Sequence, residues 1–196
     1  LKKLEAKPDD RALIDDLAVG YDKLGRYDEG IAVLEKSLAA DPNRYETLAN
    51  LATLLFHAGR LEESKKHVER ALEINPNAHF GREKYQLLLT EYVLQSELKK
   101  TGVLNSSERS TGLDNQGFSK FVIDAYAARI DKAKPEPYSM EWQRQEMDEV
   151  HAATKGVLGM MHFASFESPI LLEALGDLLV TRWPDDMTQL AARAYL

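Results

Sequence analysis

Met160, Met161 and His162 place two thioethers and an imidazole in one row, a donor set whose softness suits copper. Adjacent residues on a helix point in different directions, so three consecutive ligands cannot readily converge on one ion. The row is therefore expected to pack, with methionine in its usual role as core filler. Hydrolytic chemistry needs a nucleophile with a base in reach, and Ser168 and Glu167 near His162 come nearest to it. No strand–turn–helix elbow and no glycine-rich phosphate loop surrounds them. Ser168 directly before Pro169 reads instead as the cap of a helix. His57, His67, His79 and His151 form no HxxxH pair and are expected to be surface or internally satisfied side chains. Cysteine is absent, which removes disulfides, thiolate nucleophiles and sulfur-ligated zinc. The expectation is a chain that is not an enzyme, with no catalytic residue, no metal and no cofactor.

The elements that must position any site are those of a globular protein. Of the 196 residues, 44% are hydrophobic and 29% charged, which is enough apolar material for a core. The net charge of −7 and a pI near 5.3 disfavour nucleic acid and anionic lipid as partners. No apolar run approaches the roughly 20 residues that span a bilayer. The longest, Leu51 to Phe56 and Ile170 to Val180, are short or interrupted by Glu173 and Asp177. A soluble protein without membrane insertion is expected, its compartment open. Leu1 opens the chain without a signal-peptide pattern, as expected of a processed protein or an excised fragment.

Self-similarity organises the first half. Leu17-Ala18, Gly25-Arg26, Glu29, Leu38 and Asp41-Pro42-Asn43 recur 34 residues on as Leu51-Ala52, Gly59-Arg60, Glu63, Leu72 and Asn75-Pro76-Asn77. Each glycine stands where a left-handed residue ends a helix, and each proline where a helix cannot continue. Asn43 with Glu46 fits a capping box for the next helix. Between the breaks, Ile14, Leu17, Ala18 and Tyr21, and Leu48, Leu51, Ala52 and Leu55, follow the helical i, i+3, i+4, i+7 rule. Tyr27, Ile31, Leu34 and Leu38, with Leu61, Val68, Ala71 and Leu72, form the facing stripes of the second helices. A lone hairpin cannot bury both of its faces, so neighbouring hairpins must stack.

Residues 11–44 and 45–78 resemble two tetratricopeptide repeats, with Gly30 and Ser64 at the small position early in the second helix and Ile14 and Leu48 at the bulky position of the first. The resemblance implies an all-α fold of antiparallel helical hairpins stacked into a right-handed α-solenoid. It also implies a concave groove, lined by first-helix residues, that receives a peptide or helix of a partner protein. The positions that match are Asp15, Val19, Asp22, Glu46, Asn50, Thr53, Phe56, His57, Phe80 and Lys84, with Phe56 and Phe80 as an aromatic pair able to anchor a bound segment. Some family members clamp a chaperone's terminal carboxylate with basic residues. Asn50 and Lys84 match that clamp, but Asp15 and Val19 stand where it needs Lys and Asn, so chaperone tails are not the expected ligand.

The remaining organisation is expected as follows. Residues 1–8 end a preceding repeat helix, with Leu4 and Pro8 in register, and the two repeats fill 9–78. A third-repeat or capping helix covers 79–100, running from His79 to Lys99, and a polar loop or linker covers 101–117. Additional C-terminal helices fill 118–196: one carrying Phe118, Phe121, Val122, Ala125 and Tyr126, one from about Met140 to Phe163, and a degenerate repeat near 169–196. The function expected is a protein–protein interaction module, an adaptor or scaffold. The alternatives are a structural assembly module that stacks on copies of itself or on neighbouring domains, and an uncharacterised hydrolase.

Overall fold

The computed structural model describes residues 10–101, 117–130, 139–163 and 168–182. The expected repeat fragment at 1–8, most of the polar stretch at 101–117, Lys134 to Pro137, Glu167 and the final helix after Trp183 lie outside the described residues.

Eight α-helices are described, and no strand accompanies them among the described residues. They are α1 (Arg11–Lys23), α2 (Tyr27–Ala40), α3 (Tyr45–His57), α4 (Leu61–Ile74), α5 (Arg82–Thr101), α6 (Phe118–Arg129), α7 (Met140–Phe163) and α8 (Pro169–Arg182), with a 3-10 turn at Ala78–Gly81. They fall into two compact units that divide after Thr90.

In the first unit α1 packs on α2, α3 on α4, and α3 also on both α1 and α2, which is two antiparallel hairpins stacked. The punctuation follows the sequence. Gly25 and Gly59 take φ of 67° and 75°, and the backbone closes behind them through Arg26 N–H to Tyr21 C=O at 2.9 Å and Arg60 N–H to Leu55 C=O at 2.8 Å. Ala18, Ile31, Leu34, Leu51, Leu54 and Leu55 form the core between the hairpins. A second cluster joins Leu48, Ala49 and Ala71. The small residue at the start of each second helix has a distinct reason. A Cβ on Gly30 would meet Leu54 Cδ1 at 3.0 Å and Tyr21 Cβ at 3.2 Å, whereas the fully buried Ser64 donates its hydroxyl to Ala52 C=O at 2.7 Å.

Two local expectations need correction. Asn43 does not cap α3: the helix begins one residue later with Arg44 in the N-cap position, and Asn43 Oδ1 accepts from Arg70 Nη2 at 2.7 Å. The helix expected from His79 starts instead at Arg82, because His79 (φ 46°) and Gly81 (φ 77°) both take left-handed backbone, which no α-helix continues through.

In the second unit α6 packs on α8. Phe118, Val122, Leu171 and Leu178 are fully buried, as are Val150, Ala153 and Val157 of α7. Met160 and Met161 are buried too, at 5% and 4% exposure. Tyr92 meets the rings of Phe118 and Phe121 at centroid distances of 5.6 and 5.7 Å. Asp177, itself buried, accepts the Phe118 backbone N–H at 2.7 Å and so caps α6 from α8.

Candidate protein-binding face

The first helix of each repeat is tied directly to the first helix of the next by polar side chains. Asp15 of α1 is buried, and its carboxylate accepts from Arg44 Nη2 at 3.0 Å and from Thr47 Oγ1 at 2.9 Å. At the C-terminal ends of α1 and α3, Asp22 Oδ1 lies 2.7 Å from His57 Nδ1, with both side chains no more than 5% exposed. Thr53 of α3 approaches Gln86 Oε1 of α5 at 3.4 Å, and the Tyr45 hydroxyl lies 3.0 Å from His79 Nδ1.

The two carboxylates that flank α3 are tuned in opposite directions. Burial pushes Asp15 above the ordinary aspartate range, and the bonds from Thr47 and Arg44 do not outweigh it, Arg44 being partly open to water. Burial also pushes Glu83 upward, but the Arg82 guanidinium, the His79 hydrogen bond and its own backbone together hold it below the ordinary glutamate range. Tyr45, half-buried and facing the Glu83 charge, has its hydroxyl pushed up.

Several residues expected on the open groove are therefore internal. Asp15, Asp22 and Phe56 are 6%, 5% and 4% exposed, and the His57 ring is enclosed between Tyr27 and Phe56. Val19, Asn50 and Thr53 are half-buried, Glu46 is exposed, and Lys84 lies over the Tyr85 ring, 4.7 Å from its centroid. The Phe80 side chain lies outside the described residues. The partners that Asp15 and Asp22 find were missed in the sequence, as was the role of Glu83. A signal existed, because Glu83 stands 68 residues, two periods of 34, after Asp15.

A profile of the tetratricopeptide repeat family matches residues 23–91, which include Arg44, Thr47 and His57 of these ties but not Asp15 and Asp22. A tetratricopeptide repeat is thereby detected over this part of the chain. No curated protein matches it at a significant level. The fold and the family match together support a general protein-interaction or scaffold role. Among the described residues no group of three His, Asp or Glu side chains is placed to hold a metal ion. None of the described helices is long and apolar enough to cross a membrane.

Proposed function

We propose that the tetratricopeptide repeats hold a segment of another protein along their first-helix face. Val19, Glu46, Asn50, Thr53 and Lys84 make the contacts, Phe80 extends the same row, and Asp15, Asp22, Phe56 and His57 support it from inside. What carries this reading is the direct polar tie between successive first helices at Asp15–Arg44–Thr47 and Asp22–His57. A face locked by internal bonds is organised before a partner arrives, so less ordering is lost on binding. The same bonds occupy the Arg44 and His57 donors, which leaves a face of amide, hydroxyl and aliphatic groups with one exposed acid at Glu46 and the Lys84 ammonium beside Tyr85. Such a face suits the main chain and neutral side chains of an extended segment or helix.

The experiment is affinity capture from a native extract with the wild type and a Val19→Asp, Asn50→Ala variant whose melting matches it. Both positions are half-buried, so the variant is expected to fold. It should lose a captured protein by about tenfold or more, as substitutions at an interface centre do. Equal capture by both would remove this face as the site.

A second reading, a structural module that assembles with copies of itself or with neighbouring domains, is supported by exposed apolar side chains on α7. Met140, Met147 and Leu158 are 83%, 36% and 46% exposed. Light scattering that returns a monomer at all concentrations would set self-assembly aside.

A further inference from the structure

At the start of α5, Glu83 is enclosed by groups from three places. Its side chain is 1% exposed, and Oε1 accepts from His79 Nδ1 at 2.7 Å and from Arg82 Nη2 at 2.9 Å. Tyr45, the first residue of α3, faces both: its hydroxyl is 3.0 Å from His79 Nδ1 and close enough to the Glu83 carboxylate to feel its charge. The short contact to a carboxylate makes Nδ1 a ring nitrogen that carries a proton and donates it toward Glu83. Glu46 and Arg44 complete the charged groups around this point, Arg44 being committed to Asp15 and to Glu46 at 3.6 Å. His79 is held at φ 46°, left-handed backbone in which the Cβ of a non-glycine residue crowds the following carbonyl oxygen. Its ring is half in water, at 47% side-chain exposure.

We propose that this cluster is an acid-released latch: the Glu83 carboxylate seats the first turn of α5 on Tyr45 of α3, and protonating it frees that turn while α1 stays seated on α3. Neutral Glu83 loses its attraction to Arg82 and sets an O–H against the N–H of His79. The left-handed backbone at His79 then has less to hold it.

The sign follows from the two carboxylates. Glu83 is held below its ordinary value of 4.5, so its contribution is present above that value and is lost as pH falls through the lower folded value. Asp15 is held above its ordinary value, so the folded state takes up that proton more readily than the unfolded chain, and acid favours the α1 seat. The two sides of α3 answer acid oppositely.

The test is amide hydrogen exchange on the whole chain from about pH 7 to about pH 3, expressed as protection factors so that the intrinsic rate cancels. Arg82 to Thr90 should lose protection about tenfold more than Arg11 to Ala40. In Glu83→Gln that segment should be poorly protected at every pH, with the acid step gone. Asp15→Asn should keep the step. His79→Gly, which removes the ring and relieves the positive φ, should move the release to higher pH and serves if Glu83→Gln does not fold. Parallel loss in both segments, a wild-type step in Glu83→Gln, loss of the step in Asp15→Asn, or an unmoved release in His79→Gly would each overturn the latch.

Discussion

Gly117→Ala is expected to destabilise the second unit by about 2–5 kcal/mol, combining overpacking with the loss of a buried hydrogen bond. The reason is space and not backbone conformation, since Gly117 has φ −76°, which any residue adopts. A Cβ there would meet Asp177 Oδ2 at 2.2 Å and Cγ at 2.6 Å. Asp177 cannot retreat freely, because Oδ2 holds the Phe118 N–H at 2.7 Å and the side chain is 4% exposed. Moving it leaves the first turn of α6 with an unpaired buried donor beside Phe118, which is fully buried. The nearby Tyr92 hydroxyl, pushed up to about 12 by burial and by the Asp177 charge, registers the same carboxylate. Urea unfolding followed by tryptophan fluorescence checks the magnitude. Asp177→Asn, which keeps an acceptor oxygen of similar shape, should cost only about 1 kcal/mol. Wild-type stability in Gly117→Ala would show that α6 does not depend on this cap.

Leu54→Ala is expected to cost the repeat pair about 2–5 kcal/mol, the range for deleting a fully buried leucine. Leu54 is 1% exposed and joins both hairpins, since its methyl groups fill the space that Gly30 leaves open on α2. The coupling to Gly30 is the sharper part of the expectation. In the wild type Gly30→Ala gains roughly 1 kcal/mol of helix propensity but forces Leu54 to move, so the net effect should be small. In the Leu54→Ala background the two Leu54 methyl contacts are gone and only Tyr21 Cβ, at 3.2 Å, has to give, so the double variant should recover up to about 1 kcal/mol relative to Leu54→Ala. Thermal melts of the four proteins give the cycle. Strict additivity would mean that α2 and α3 do not meet closely at this point.

The hairpins were legible because their signals are local and repeated. Two glycines and two prolines 34 residues apart, with apolar side chains at helical spacing between them, specify helix, turn and stacking before any distance is known. The start of α5 was not legible in the same way. Left-handed backbone is uncommon for any non-glycine residue such as His79, and the Tyr45 contact that accompanies that turn comes from 34 residues away. The cap of α6 was also invisible, because its acceptor, Asp177, lies 59 residues away on another helix.

The candidate face divides along the same line. Helical spacing set the first helices that contain Asp15, Asp22, Asn50, Thr53, Phe56 and His57, and the resemblance to tetratricopeptide repeats picked these positions out as the groove. Whether such a side chain meets water or a neighbouring helix depends on how successive hairpins approach each other, and spacing within one helix carries no information about that approach. Only the tertiary structure decided that Asp15 is taken by Arg44 and Thr47, that Asp22 lies against His57, and that Phe56 is core, while Glu46 remains open.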